Sequence, residues 1–197
     1  MSKAAMRRNM LELRRNLDPG FRKKADEVIN FVLKSLQQLK TATMVAVYLS
    51  DGTEPCLNET LTFCLNSGKK VFVPRCCRDS DVEYEMVEIR DPLQDTICGK
   101  YGLMEPKESL SMTPAMQRQN MLWLIPGVAF DRRGFRLGRG KGVYDRLLKE
   151  ETGGKIGIFY GFQEVAEVDN RLHDEPLDSA ITENGIIKLK NEGENGI

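Results

Sequence analysis

Apolar residues recur at helical spacing through residues 3–16, where Met6, Met10, Leu13 and Leu17 share one stripe. Asp18-Pro19 then predicts a second helix, with the aspartate as N-cap and the proline in the first turn. Its inner face is Phe21, Ala25, Val28, Ile29, Val32, Leu33 and Leu36. The period shortens at 43–49, an apolar stretch rich in β-branched side chains that reads as a strand. A helix over 56–67 is closed by Gly68, and 70–74 is the next strand. Val82, Tyr84 and Met86 alternate with acids, the pattern of a strand with one wet face. Residues 91–119 are punctuated by Pro and Gly and predict a long excursion with little regular structure. Met121 opens a buried strand that stops at Pro126-Gly127. Beyond it, 143–150 reads as a helix closing at Gly153-Gly154, 155–160 as a strand and 163–177 as an acidic loop. A last short strand or two falls in 178–190, and 191–197 carries no pattern. Strands alternating with helices predict a layered α/β domain, Rossmann-like, with a largely parallel central sheet flanked by helices.

Composition narrows the function classes. A chain of 197 residues fits one domain over 1–197, with 41% hydrophobic and 29% charged residues. Its 29 basic and 29 acidic side chains cancel, so no global field draws it to nucleic acid or a membrane surface. Cysteines 56, 64, 76, 77 and 98 lack Cys-x-x-Cys spacing, and His173 is the single histidine. That argues against a disulfide framework and a His-rich zinc site, and for reduced thiols in the cytoplasm. The early cations Lys3, Arg7, Arg8, Arg14 and Arg15 read as one face of a folded basic helix rather than a presequence. No run is long enough to span a bilayer. The expected state is a monomer with no nucleic-acid or membrane partner.

The chemistry concentrates between Arg132 and Gly142. Four glycines (134, 138, 140, 142), four arginines (132, 133, 136, 139) and Lys141 fall in this window, directly after an apolar strand. Glycine backbone approaches a ligand closely, and arginine and lysine bind multivalent anions. The window reads as a polyphosphate cradle, with Asp145 placed to share a metal with the nucleotide. It is not a Walker A loop, because five residues separate Gly134 from Gly140 and Gly142 stands where Ser or Thr belongs. It does not supply the Gly-x-Gly-x-x-Gly dinucleotide fingerprint either.

The run from Leu124 to Leu148 resembles the signature of the 5-formyltetrahydrofolate cyclo-ligase (methenyltetrahydrofolate synthetase) family. An apolar strand, Pro-Gly, Phe130-Asp131, Arg136-Leu137-Gly138, a Gly/Lys cluster and Tyr144-Asp145 all match in order. Lys3, Arg7, Glu54, the segment Gly102-Leu-Met-Glu-Pro106 and the pair His173-Asp174 ahead of Asp178 match at sensible distances. One departure is Val143, which stands where the family has an aromatic and offers neither a ring nor a hydroxyl.

The resemblance implies ATP- and Mg2+-dependent closure of 5-formyltetrahydrofolate to 5,10-methenyltetrahydrofolate, with ADP and phosphate as products. It implies ATP contacts from Lys3, Arg7, Arg136, Leu137, Gly138, Arg139, Gly140, Lys141, Gly142, Val143 and Tyr144. Substrate contacts would come from Glu54 and from Arg139 through Val143, the metal shell from Asp145 and Asp174, and the catalytic charge from Arg139 and Lys141. Taken alone, Lys3 and Arg7 are a solvated helix face, and Asp145 is a helix partner for Arg146 or Lys149. Two other functions stay open on the residues: a non-catalytic nucleotide- or folate-binding paralogue, suggested by Val143, and an RNA-binding module using the Gly/Arg loop. The zero net charge and the scarcity of aromatics among the basic residues count against RNA.

Overall fold

Ser2 caps the first helix, α1 (Lys3–Arg15), and Asp18 caps α2 (Pro19–Ser35); each side chain accepts an amide from the first turn. The computed structural model describes residues 2–77, 80, 83–99, 102–149, 151–170 and 174–189. Val82, Glu150, His173 and 190–197 lie outside these residues. A short α3 (Gln37–Thr41) leads to β1 (Met44–Ala46). Then come α4 (Asn58–Asn66), β2 (Lys70–Cys76) and β3 (Tyr84–Ile89). The stretch expected to be irregular holds α5 (Pro92–Asp95) and a hairpin of β4 (Thr96–Cys98) and β5 (Met104–Pro106). After β6 (Leu122–Pro126), a second hairpin, β7 (Ala129–Phe130) with β8 (Arg136–Leu137), presents the glycine loop. The chain continues through α6 (Val143–Leu148), β9 (Lys155–Ile158), β10 (Ser179–Thr182) and β11 (Gly185–Lys188).

Seven strands form the central sheet in the order β11-β10-β9-β6-β1-β2-β3. The five inner strands pair parallel and both edge pairings are antiparallel. The mostly parallel α/β architecture therefore matches the reading from sequence. Both faces are covered, as parallel sheets require. Val45, Val71, Leu122, Leu124, Ile156 and Ile158 face a core with Ala25, Ile29 and Leu33 of α2 and Leu61 of α4. Ala46, Phe72, Trp123, Ile125 and Phe159 face the opposite core with Leu148 of α6. Ile29 and Leu33 are fully buried, which is worth about 1.5–3 kcal/mol apiece.

Three local expectations need correction. On α1 the inward line is the half-buried Met6 and Met10 and the buried Arg14; Leu13 is 52% exposed while Arg14 has no exposed surface. Arg14 lies one turn beyond Met10 and its charge is matched by carboxylates, so it fills the line that periodicity assigned to leucine. On α2, Phe21 and Val28 are each 40% exposed, at the margin of the face centred on Ile29. The strand expected over 43–49 ends at Ala46. The Val47 amide still reaches the Phe72 carbonyl (2.8 Å), and the chain then bends into the Ser50–Glu54 turn. None of the described helices is long and apolar enough to cross a membrane.

Candidate active site

In a parallel sheet, ligands gather outside the carboxyl ends of strands where the winding direction reverses. Here that point lies between β1, which continues to β2 on one side, and β6 on the other. A cavity of about 520 Å3 opens there. Tyr48 and Leu49 after β1, Val73 and Pro74 of β2, and Pro126 and Gly127 at the end of β6 form its floor. Leu103, Met104 and Glu105 of the β4–β5 hairpin and Tyr84 wall one side. Residues 136–145 with Lys3, Arg7 and Asp174 wall the other. Every residue assigned from the sequence to ATP, folate or metal, including Glu54, borders this one space.

The β7–β8 hairpin holds the loop from below through Asp131. Its buried carboxylate accepts from the amides of Arg133, Phe135 and Val168 and from the Arg133 guanidinium, at 2.8–3.1 Å. Replacing it with alanine orphans these donors. Asp131→Ala is expected to cost about 3–5 kcal/mol, roughly 6–20 °C in Tm by thermal unfolding. A change under about 2 °C would contradict this anchoring role. Further on, Gly140 (φ 101°) and Gly142 (φ 61°) take left-handed backbone that side chains disfavour. An added Cβ at Gly140 would meet the Arg7 guanidinium at 3.4 Å, in ordinary contact, so it is the backbone conformation that calls for glycine there. Arg7 Nε in turn donates to the Gly138 carbonyl (2.9 Å), tying α1 to the loop.

Charge is distributed unevenly among the four arginines. Arg132 pairs with Glu164, and Arg133 with Asp131 and Glu167; neither lines the cavity. Arg136 does, its side chain buried between Asp145 (2.6 Å) and the Glu175 carbonyl (2.7 Å). Burial pulls the Arg136 pKa down from its ordinary value, with the Asp145 charge opposing the shift. Arg139 reaches across to Asp51 and to Glu54 (3.3 Å). Burial alone would raise Asp51, but the Arg139 guanidinium and the Thr53 donors outweigh it and lower its pKa to about 2. Glu54 moves the other way: burial and the neighbouring Asp51 charge raise it, against Arg14 and Arg139. Tyr144 is raised by burial and then by the Glu54 charge, and the Arg136 guanidinium lies 6.0 Å from its ring centre. Lys3 Nζ sits 4.0 Å from Asp174 and 3.9 Å from Asp169.

The family model described as the 5-formyltetrahydrofolate cyclo-ligase family matches residues 1–183. The chain belongs to the 5-formyltetrahydrofolate cyclo-ligase family. It is an enzyme of the ligase class, and its relatives match it over most of its length. The 5-formyltetrahydrofolate cyclo-ligase of Mycolicibacterium smegmatis is 27% identical over 96% of this chain and 98% of its own. The 5,10-methenyltetrahydrofolate synthetase of Aquifex aeolicus superposes with a TM-score of 0.82 at 32% identity, covering 97% of this chain and 94% of that one. A Mycoplasma pneumoniae synthetase shares the fold, with a TM-score of 0.73 at 24% identity over 93% of this chain and 99% of that one.

Two features of this site are not legible in hydrophobic periodicity, and the second is reached only through the resemblance of Gly102-Leu-Met-Glu-Pro106. Asp51 and Arg14 stand behind Glu54 and Arg139 and are joined to them by ion pairs. The apolar wall of Leu103 and Met104 comes from a hairpin of three-residue strands, too short to carry a periodic signal. Val143 lines the cavity and brings only an aliphatic surface to it. Among the described residues no group of three or more His, Cys, Asp or Glu is placed to hold a metal. Asp145 and Asp174 do both act on Arg136, which puts two carboxylates beside the glycine loop. That donor set suits a magnesium ion that takes its remaining oxygens from phosphates and water.

Proposed function

We propose that this chain closes 5-formyltetrahydrofolate to 5,10-methenyltetrahydrofolate at the expense of ATP, working as one domain. The observation that carries the reading is the two-sided cavity. One wall is glycine backbone and cations, the other offers the apolar side chains of Leu103 and Met104 beside Tyr84 and Glu105, and the buried Glu54 carboxylate pairs with Arg139. A phosphate donor and an aromatic, amide-bearing acceptor would have their reacting ends brought together there.

The formyl group on N5 is amide-like and a poor electrophile. Transfer of the γ-phosphoryl group to its oxygen breaks the bond to ADP and leaves an imidate phosphate. N10 then attacks the activated carbon, the N10 proton is lost, and the C–O bond breaks with inorganic phosphate as leaving group. Arg139 and Lys141 would neutralise the transferring group as the catalytic cations. Arg136, Lys3, Arg7 and the backbone from Leu137 to Tyr144 would hold the nucleotide. The described α6 has six residues, so a helix dipole adds little and the cations and glycine amides do this work. Glu54 would accept from the pterin end of the folate, with Arg139 through Val143 bordering it. Asp145 and Asp174 would hold Mg2+, which supplies charge neutralisation at the phosphates.

The four arginines of the loop, 132, 133, 136 and 139, each pair with a carboxylate, which favours the enzyme over a nucleic-acid module that would need them for phosphates. We place the protein in the cytoplasm as a monomer; its five cysteines are free thiols, as expected of a reducing compartment. The test is purified protein with 5-formyltetrahydrofolate and Mg-ATP, followed by near-ultraviolet absorbance of the methenyl product. The expected result is growth that requires both ATP and Mg2+. Bound ATP without growth would instead mark a non-catalytic paralogue and make Val143→Tyr the next variant to assay.

A further inference from the structure

We propose that Arg14 is a positioning residue, held inside α1 so that it presents the Glu54 carboxylate to the substrate cavity as an anion. The inference rests on the assignment of Glu54 to the folate. Arg14 does not border the cavity, and its side chain has no exposed surface. Its Nη1 donates to the carbonyl of Gly127, the residue that follows β6 (3.2 Å). Its Nη2 donates to Thr53 Oγ1 at 2.6 Å and approaches Asp51 at 3.4 Å and Glu54 Oε1 at 3.5 Å. One guanidinium thus clamps the end of β6 to the Asp51–Glu54 turn.

The charges explain why an arginine is buried there. Asp51 and Glu54 bring two negative charges into a desolvated turn, and among the described residues Arg14 and Arg139 are the cations paired with them. Tyr48 and Tyr144 also face Glu54, and burial holds both phenols protonated. Arg139 is 44% exposed and belongs to the loop proposed to bind phosphate. When it turns to the phosphates, Arg14 remains as the counter-ion for both carboxylates. Without it, Asp51 and desolvation would drive Glu54 toward its protonated form.

The experiment measures 5-formyltetrahydrofolate binding without ATP, and kcat and KM for both substrates, as functions of pH. Arg14→Met is expected to weaken formyl-folate binding at neutral pH about tenfold and to move the acidic limb of kcat/KM up by about one pH unit. KM for ATP should stay within about twofold, a split that a merely structural loss does not give. Asp51→Asn should move the limb down, because it removes the charge that raises Glu54. The double variant Arg14→Met/Asp51→Asn restores the charge balance and should return the limb toward its native place. It also keeps the test alive if Arg14→Met alone does not fold. A limb that stays put in Asp51→Asn, or that stands about one pH unit above its native place in the double variant, overturns the proposal. Glu54→Gln separates the two levels: native formyl-folate affinity in that variant removes the Glu54 assignment itself.

Discussion

Arg139→Ala is expected to lower kcat/KM for ring closure by roughly 10²–10³, the loss seen when one charge-stabilising donor is removed from a transition state. Two effects combine. The transferring phosphoryl group loses a cation, which appears in kcat. The Asp51 and Glu54 carboxylates lose one of their two partners, which appears in KM for formyl-folate. Arg139→Lys should recover part of kcat, because a point charge still neutralises phosphate. It should recover less of KM, because the lysine nitrogen is one bond closer to the backbone than Nη2, the nitrogen that meets both carboxylates. Steady-state kinetics with each substrate varied in turn separates the two parameters. A fall confined to KM for ATP would assign Arg139 to nucleotide binding alone.

The sequence made the fold and half of the site readable for the same reason: both are written in local patterns. Alternating apolar runs and their caps locate the strands and helices of the sheet, and the glycines and cations of 134–142 declare themselves within nine residues. The supporting shell is different. Arg14 and Asp51 are 37 residues apart, and their significance appears only when α1 crosses the carboxyl end of the sheet. Periodicity even misled there, since Leu13 completes an apolar stripe and Arg14 looks like one more surface cation. The β4–β5 hairpin was hidden for another reason: its strands expose Ile97 and Met104, so no buried face imposes alternation. The signal that was available lies in the topology. Once β1 and β6 are placed as neighbours that wind apart, the residues after β1, Tyr48 to Glu54, become site candidates without reference to their types.

Asp145→Asn should raise the magnesium concentration needed for half-maximal activity by about 10–100-fold, the usual scale for loss of a supporting metal ligand. The competing account is that Asp145 serves only Arg136. Its carboxylate lies 2.6 Å from that buried guanidinium, and an asparagine oxygen can still accept the bond. If that pairing were its whole role, the variant would lose stability and some activity while the magnesium titration kept its midpoint. If Asp145 shares the ion, the midpoint moves. A second sign follows from the charge change alone. Removing one negative charge beside the glycine loop makes the loop more positive. ATP free of magnesium should then bind the variant as tightly as the native protein or more tightly, while Mg-ATP binds less tightly. Calorimetric titration with ATP in a chelator and with Mg-ATP reads both signs without turnover. Equal weakening of the two forms would assign Asp145 to the structure of the loop instead of to the metal.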